Sequence, residues 1–282
     1  MYREERTGTA GGGLLHALRF AARTLGLGIR ARREYRTDFA AAIAAGILYQ
    51  STGLLLAVVA FSSLPGFGPW SLSDVLLMVG LRLGGHALYA VVFANLPRLP
   101  LIIVQGRLDR MMMRPVPVLV QVICDEVNVN ALGDLAIAVL FWCFAAPGMH
   151  VQWDVGQVLF CAAAAVSGML VEAALQITVS ALCIRSIGFE SVYYWVDSTV
   201  MTFAGYPLGL FSAFGSWLFT FVVPIGFIGY YPAAHLTGKA DASLFTPWLA
   251  ALAPLSGPLA VSAAVLLWRK CLKHYEGGGS TA

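Results

Sequence analysis

The sequence is short of charged residues. Charged side chains make up only 12% of its 282 residues, about half the share found in an ordinary soluble domain. Hydrophobic residues make up 59%, and the mean hydropathy is +0.75. The few charges cluster between apolar runs of roughly 20 residues, the length that a helix needs to cross the hydrocarbon core of a bilayer. These features exclude a soluble globular domain and predict an all-α polytopic membrane protein.

Sequence signatures of catalysis are missing as well. The chain contains no GxxxxGK[ST], HExxH or GxSxG motif, so no P-loop is present to bind nucleotide. Its five histidines are scattered and predict no metal site. Its five cysteines form no CxxC pair, and we expect them to be small buried hydrophobes. We therefore predict a protein that is not an enzyme and that binds no cofactor or metal itself.

The N-terminal region has little apolar sequence. Residues 1–13 are polar and glycine-rich, lack the apolar core of a cleavable signal peptide and are expected to be disordered. Over residues 14–36, a helical wheel places leucine, alanine and isoleucine side chains on one arc, with His16 and several arginines opposite. A basic amphipathic helix of this kind lies in the plane of the membrane interface. A solvated N-terminal helix is the alternative.

The remaining apolar runs predict one transmembrane domain, residues 37–270, with six spans, followed by a cytoplasmic tail, residues 271–282. The predicted spans are about 38–61, 72–96, 122–144, 155–183, 195–211 and 246–268.

Residues 212–236, between the fifth and sixth spans, are apolar enough for membrane depth but are interrupted by prolines and glycines. Proline breaks a continuous helix. A broken helix at membrane depth must be buried in protein or line a cavity. We therefore predict a pair of short re-entrant helices on the outer side.

Positive charges set the predicted topology. Of the 18 lysines and arginines, sixteen fall in segments that we assign to the cytoplasm, Lys239 falls in an outer loop, and Arg82 lies inside the second span. Because lysine and arginine are enriched in cytoplasmic loops, both termini are predicted to be cytoplasmic. Arginine outnumbers lysine 15 to 3, a bias typical of a GC-rich bacterial genome, so the expected location is a bacterial cytoplasmic membrane.

The segment 97–117, between the second and third spans, has proline at both ends and carries four arginines. Those arginines place it on the cytoplasmic side. Its core, LIIVQGRLDRMMM, is too apolar for a solvated linker and too short and charged to span. We interpret it as a short helix at the membrane surface that is presented to a cytosolic partner. Asp125 and Glu126, which follow it, are expected to favour a helix N-terminus and to contact its basic groups.

Three charged side chains are predicted inside the spans, where an unpaired charge costs at least about 2.5–3.5 kcal/mol. Arg82 and Asp134 lie at similar depth in consecutive antiparallel spans, and we hypothesise that they form an ion pair. Separate backbone or water partners are the alternative. Glu172 either lines a polar path or meets Gln176 or another neighbour. His86 is expected to be a satisfied histidine between helices.

Three stretches of the sequence resemble one known family. They are VQGRLDRMMMRPVPVLVQVI followed by NALGDLAIAV, then FTFVVPIGFIGYYPAAHLTG after YPLGLF, and finally LLWRKCLKHYEGGGS. These stretches are similar to the membrane subunits of ABC-2 family exporters, in a branch long described as an uncharacterised ABC transport permease. The resemblance runs from about residue 15 to residue 278.

The resemblance implies a connecting helix, six spans and re-entrant helices before the last span, with two permease subunits forming the pore. It also implies that residues 101–113 are a coupling helix docked on a separate cytosolic ATP-binding subunit. Two copies of that subunit would carry ATP and Mg²⁺. The implied coupling residues are Leu101, Ile103, Arg107, Asp109, Arg110 and Met112.

An outer gate between residues 219 and 235 is implied as well. Its residues would be Phe219, Phe221, Pro224, Phe227 and Tyr231. This chain departs from its relatives just before the gate, where FSAFGSW replaces a segment that often contains proline and basic residues. The first, second and fifth spans would face the second permease. The aromatic residues that would line the pore, unless they serve as plain packing, are Tyr49, Phe93, Tyr194, Phe203 and Tyr206.

The predicted function is the permease subunit of an ATP-driven exporter of lipophilic or amphipathic cargo. Its partners would be the ATP-binding subunits, a second permease, identical or related, and the lipid bilayer, but not nucleic acid. The alternative is a stand-alone secondary transporter with a relay through Arg82, Asp134 and Glu172. Inverted repeats mark many such transporters, and none is visible in the sequence.

Overall fold

The computed structural model describes residues 69–125, 131–145, 153–242 and 247–275, together with isolated positions 44, 45, 47, 48, 55, 59, 148, 151 and 245. Every secondary-structure element in these ranges is helical, which confirms the all-α class for this part of the chain. The predicted segments 1–13 and 14–36 lie outside the described residues. So do nearly all of the first predicted span and the last residues of the tail.

The described part of the chain is built from α-helices of very different lengths. In chain order they are α1 (Leu72–Phe93), α2 (Leu99–Val104), α3 (Arg107–Met112), α4 (Val118–Ile123), α5 (Ala131–Ala145), α6 (Val155–Arg185), α7 (Glu190–Phe203), α8 (Ala213–Trp217), α9 (Tyr230–Leu236), α10 (Trp248–Ala251) and α11 (Ala253–Leu272). Short 3₁₀ turns cover Leu96–Arg98, Ile187–Phe189, Leu208–Leu210, Ile225–Phe227 and Ala240–Ala242, and Leu218–Val222 forms a π-helical turn.

Within the described residues, three helices are long and apolar enough to cross a bilayer: α1, α6 and α11, with 22, 31 and 20 residues. A fourth candidate is the pair of helical segments Ala213–Val222 and Ile225–Leu236, which meet at 77°. Such a pair forms either one broken span or a re-entrant hairpin. The structure therefore supports three to four candidate spans, and the predicted count of six is not confirmed.

The fifth predicted span is shorter in the structure than in the sequence analysis, since α7 has 14 residues. α7 begins at Glu190 and ends at Phe203, well before the predicted end near residue 211. Pro207 explains this early end, because proline lacks a backbone N–H and disfavours helical geometry in the residue before it.

A capping box starts α1. The Ser71 hydroxyl accepts the Asp74 backbone N–H at 3.3 Å, and the Asp74 carboxylate accepts the Ser71 backbone N–H at 2.6 Å. Two N–H groups that lack helical partners are thereby satisfied. The Asp74 carboxylate also pairs with Lys239, whose ammonium lies 5.7 Å from the centroid of the Trp70 ring. This ion pair joins the start of α1 to the segment that follows α9.

α6 is the central helix, packed along α11 and in contact with α1 and α7. Small residues let α6 and α11 approach closely. The Ser167 hydroxyl donates to the Ala253 carbonyl at 2.8 Å and accepts the Gly257 backbone N–H at 2.9 Å. A Cβ on Gly257 would lie 2.4 Å from the Ser167 backbone oxygen. Only glycine fits here, as is common where membrane helices pack through small residues.

Buried apolar side chains form two clusters. One contains Trp70 and Tyr230, where α9 packs against the start of α1. The other contains Leu99, Ile177 and Trp268, where α2 packs against α6. We call these two regions the α9 end and the α2 end of the bundle.

Candidate functional site

The segment that joins α1 to α4 forms two short helices rather than one. α2 ends at Val104, and Gly106 takes a left-handed conformation with φ 63°. Its N–H donates to the Ile103 carbonyl at 2.9 Å. Glycine adopts positive φ without steric cost, so Gly106 allows the chain to turn before α3 begins at Arg107. The coupling helix predicted over residues 101–113 is thus divided at its middle.

This surface segment, residues 99–113, is anchored to the bundle by buried apolar residues. Leu99, Ile102 and Leu108 are at most 1% exposed. The Gln121 amide, 3% exposed, donates to the Met111 carbonyl at 2.8 Å and also to the Val116 carbonyl at 2.8 Å. Each such hydrogen bond adds about 0.5–1.5 kcal/mol to the apolar anchoring of the segment.

The opposite face of the surface segment carries exposed apolar residues. Leu101, Val104 and Met113 are 55%, 69% and 86% exposed. Arg110 is also exposed. Among the remaining predicted coupling residues, Arg107, Asp109 and Met112 are half-buried, whereas Ile103 is buried in the core of the α2 end.

Beside this face lies a half-open cleft of about 310 Å³, lined by Arg107, Arg110, Met111, Arg114 and Asp125. Arg107 Nη2 and Asp125 Oδ1 form an ion pair at 2.5 Å. The pair confirms the predicted contact between Asp125 and the basic groups of the segment. Three guanidinium groups around one carboxylate leave the cleft with a net positive charge.

A second polar site lies inside the bundle, where α1, α6 and α7 meet. His86 Nδ1 and Glu172 Oε1 are 2.7 Å apart, and Glu172 has no exposed surface. Asp197 on α7 completes the site: one ligand-type atom from each of the three residues lies within 4.8 Å of the others. We call His86, Glu172 and Asp197 the carboxylate–histidine cluster. His86 thus contacts a residue of another helix, as expected, and its grouping with two carboxylates was not predicted.

The predicted pair of Arg82 and Asp134 is not among the ion pairs that the described residues form. The Arg82 guanidinium donates to Met201 Sδ on α7 at 2.8 Å, and its charge acts on His86. Asp134 is half-buried on α5, within electrostatic range of His86. Similar depth in two antiparallel helices does not fix which way each side chain points around its helix axis.

Further hydrogen bonds lie along α6, next to the cluster in sequence. The Tyr193 hydroxyl donates to Ser180 Oγ at 3.0 Å, and the Ser180 hydroxyl donates to the Gln176 carbonyl at 2.8 Å. All three residues are almost completely buried. Of the two alternatives for Glu172, a polar path or a contact with Gln176 or another neighbour, the structure shows the contact with a neighbour, His86.

Sequence reasoning missed Asp197. It stands in WVDSTV, at the predicted start of the fifth span, where a charged residue does not by itself indicate a functional site. A carboxylate between apolar residues on a helix face was the available signal. Its proximity to His86 and Glu172 depends on three helices packing together, which the sequence alone does not specify.

The predicted pore and gate aromatics occupy different environments. Tyr194 is 73% exposed and Phe203 is 36% exposed, while Phe93 stacks on Tyr89 with centroids 6.1 Å apart. Tyr206 is half-buried. Tyr49 lies outside the described residues.

Phe203 connects the predicted pore residues to the predicted gate. Its ring lies 5.5 Å from Phe219 and 5.6 Å from Phe211. Phe227 and Tyr231 stack at 4.6 Å, and the Tyr231 hydroxyl lies 3.0 Å from Thr220 Oγ1.

Exposure separates the predicted gate residues into two groups. Phe227 is 9% exposed and Tyr231 is fully buried, whereas Phe221 is 54% exposed. Phe219 and Pro224 are half-buried. The bent helix pair therefore has a buried aromatic side and an exposed one.

Comparison with known proteins gives one family match. A family model described as ABC-2 family transporter protein matches residues 47–279. No curated protein and no solved structure matches the chain significantly. The match includes the surface segment, the carboxylate–histidine cluster and the bent helix pair.

Proposed function

Because the chain belongs to the ABC-2 family of transporter proteins, it is a membrane transport permease, and we propose that it serves an ATP-driven exporter. In this proposal the chain hydrolyses nothing itself. A separate cytosolic ATP-binding subunit docks on the surface segment and drives transport. Two such subunits and two permeases, identical or related, make up the transporter in a bacterial cytoplasmic membrane.

The observation that carries the proposal is the two-sided character of the surface segment. Leu99 and Leu108 anchor it in the bundle, while Leu101, Val104 and Met113 remain exposed. Methionine adapts its shape to a partner groove. A rigidly anchored segment with exposed apolar and cationic groups transmits force between a partner and the spans behind it.

The buried residues that hold the surface segment also indicate which helices would move with it. At the α2 end, α2 contacts α6, and Leu99 and Ile177 belong to the same buried cluster. α6 in turn packs along α11 and against α1. A displacement of the surface segment would therefore move the helices that surround the carboxylate–histidine cluster. ATP drives such a movement only through its different affinity for the two conformations.

The bent helix pair is proposed to be the outer gate. Its aromatic residues, with Phe219 against Phe203 and Phe211, would close the α9 end of the bundle. Rocking of the permeases would separate these rings and open a path. Aromatic walls suit a lipophilic or amphipathic cargo, and we propose that class of substrate.

A charge reversal tests the docking step. Arg110→Glu in the full-length chain is expected to reduce both co-purification with an ATP-hydrolysing subunit and the ATPase activity of the membrane complex. Arg269→Glu is the matched control, since Arg269 is an exposed cation in the last turn of α11. Equal losses in both variants, or a loss in neither, would contradict docking at the surface segment.

The carboxylate–histidine cluster favours a second candidate function. Buried titratable groups inside a membrane protein often mark ion pathways, so the chain could act as a stand-alone secondary transporter. Transport in proteoliposomes separates the two. An exporter permease requires ATP and the second subunit, whereas a secondary transporter moves its substrate with an ion gradient and no ATP.

A further inference from the structure

The carboxylate–histidine cluster joins three helices through one imidazole and two carboxylates. His86 comes from α1, Glu172 from α6 and Asp197 from α7, and one potential ligand atom of each lies within 4.8 Å of the others. Imidazole and carboxylate together are the ligand types of zinc and of other divalent transition metals. Residues from three separate helices are brought together only by the folded bundle.

An independent feature of Glu172 points to a missing partner. The residue has no exposed surface, and His86 contacts only its Oε1 atom. The second oxygen, Oε2, is buried without a hydrogen-bond partner. An unsatisfied buried oxygen of a carboxylate is costly, because the desolvated charge is only half compensated. A cation between Glu172 and its neighbours would remove this cost.

The distances fit a site that contracts slightly when a cation binds. Zinc lies about 2.0–2.2 Å from nitrogen and oxygen ligands, so ligand atoms around one ion are separated by about 3–4 Å. Atoms that already lie within 4.8 Å of one another reach these separations by small side-chain rotations. His86 and Asp197 are both partly exposed, which leaves a route for an ion to enter.

Arg82 adds one positive charge near the site. Its positive charge acts on His86 and opposes any cation nearby. With His86 neutral, the two carboxylates still outweigh this one guanidinium and leave a net negative charge. A monovalent hard cation would bind such a site weakly. A divalent transition-metal ion would bind more tightly, because it also forms a coordinate bond to the imidazole nitrogen.

We propose that His86, Glu172 and Asp197 form a binding site for a divalent transition-metal cation of the Zn²⁺ class. The ion ties α1 and α6 to α7. This site is separate from the surface segment. The two proposals are therefore tested independently: the chain can bind metal without docking an ATP-binding subunit, and it can dock that subunit without binding metal.

Equilibrium dialysis tests the site with Zn²⁺ as the probe. The full-length chain would be purified in detergent, with a removable tag that contains no histidine, and bound zinc would be measured by elemental analysis. We expect Asp197→Asn and Glu172→Gln each to weaken Zn²⁺ binding by at least about tenfold, in line with the loss of a ligand or its support. Binding that neither variant weakens, or no binding by the native chain, would overturn the proposal.

Two controls separate a specific site from adventitious binding. Asp241→Asn removes an exposed carboxylate near the α9 end, and His274→Gln removes an exposed imidazole in the tail. Both variants are expected to bind Zn²⁺ as the native chain does. If His274→Gln alone abolishes binding, the tail and not the cluster is the zinc site, and the proposal fails.

A stability measurement guards against misfolded variants. Zn²⁺ should raise the unfolding temperature of the native chain, because a ligand that binds only the folded state stabilises it. Asp197→Glu keeps the carboxylate and should retain part of this shift, whereas Asp197→Asn should lose it while unfolding at a similar temperature without metal. An equal zinc shift in Asp197→Asn would exclude this residue as a ligand.

Discussion

Individual residues in the membrane interior have few alternatives to their observed partners. Water cannot replace a lost hydrogen bond there, so removal of one partner leaves the other desolvated and unsatisfied. His86 and Glu172, 2.7 Å apart on α1 and α6, are the clearest case among the described residues. Their contact allows a direct test of how much the polar site contributes to stability.

His86→Leu is expected to destabilise the protein by about 1–3 kcal/mol, the cost of leaving a buried acceptor, here the Glu172 carboxylate, without its hydrogen-bond partner. The double variant His86→Leu/Glu172→Leu should regain much of that loss, since neither polar partner then remains buried. Unfolding of the two variants and of Glu172→Leu in detergent completes the double-mutant cycle. A double variant less stable than His86→Leu alone would show that the pair is not the source of the effect.

Lys239 offers a milder case at the α9 end. Lys239→Met leaves the buried Asp74 with its capping bonds to Ser71 but without its cation, so a loss of about 1 kcal/mol is expected. Lys273→Met, which removes an exposed lysine in the tail, should have no measurable effect. Thermal unfolding followed by size-exclusion chromatography compares the two variants. Equal stability would mean that the ion pair contributes nothing.

The sequence predicts some side-chain contacts and not others. Asp125 lies close in sequence to the basic surface segment, and its ion pair with Arg107 follows from that proximity. The partners of Arg82 and Glu172 depend on the rotation of each helix about its axis. Nearly uniform apolar sequence leaves that rotation undefined, so the Arg82–Asp134 hypothesis was not supported and Asp197 was missed.

At the scale of single helices, close approach replaces the hydrophobic effect as the source of specificity, because lipid is as apolar as the protein interior. The crossing of α6 and α11 shows this at Gly257 and Ser167. Gly257→Ala would place a methyl group 2.4 Å from the Ser167 backbone oxygen. The helices would have to separate and weaken the two hydrogen bonds of the Ser167 hydroxyl.

We expect Gly257→Ala to lower stability by about 1–3 kcal/mol, the usual cost of overpacking. Gly209→Ala is the matched control, since a Cβ at Gly209 meets nothing within 4 Å. Fluorescence-detected chromatography after heating would measure both variants. If Gly257→Ala unfolds no earlier than Gly209→Ala, the close crossing does not stabilise the bundle.

A substitution at Gly106 changes backbone strain without changing side-chain packing. Its φ is 63° and its surroundings are open, so Gly106→Ala adds left-handed strain of about 1 kcal/mol without a clash. Gly106→Asn tolerates this conformation better. We expect alanine to weaken co-purification with the ATP-binding subunit more than asparagine does. Identical retention in both variants would mean that the turn does not position α3 for docking.

Helix ends are more predictable than helix orientations. Proline and glycine indicated the break around residue 224, because their backbone restrictions are local, whereas the predicted fifth span ran through Pro207. The division of the surface segment was not predicted, although Gly106 was present in the sequence as the signal. The predicted length of the fifth span assumed that its apolar run is fully helical, and α7, which ends at Phe203, is shorter than that run.

Over the whole molecule, the α2 end and the α9 end differ in chemistry. The α2 end carries the cleft lined by three arginines, whereas Lys239 at the α9 end is neutralised by Asp74. Because cationic loops remain in the cytoplasm, this asymmetry predicts an orientation that the proposed function requires. The surface segment must face the compartment that contains ATP.

Cysteine labelling tests this orientation directly. Met113→Cys at the α2 end and Asp241→Cys at the α9 end, both exposed positions, would be placed in a chain whose five native cysteines are replaced by alanine. A membrane-impermeant maleimide should label Asp241→Cys in intact cells and Met113→Cys only after the membrane is opened. The reverse pattern would place the surface segment outside the cell, where no cytosolic ATP-binding subunit can reach it. The chain would then remain a transport permease of its family, but its energy would have to come from the ion gradient of the second candidate function.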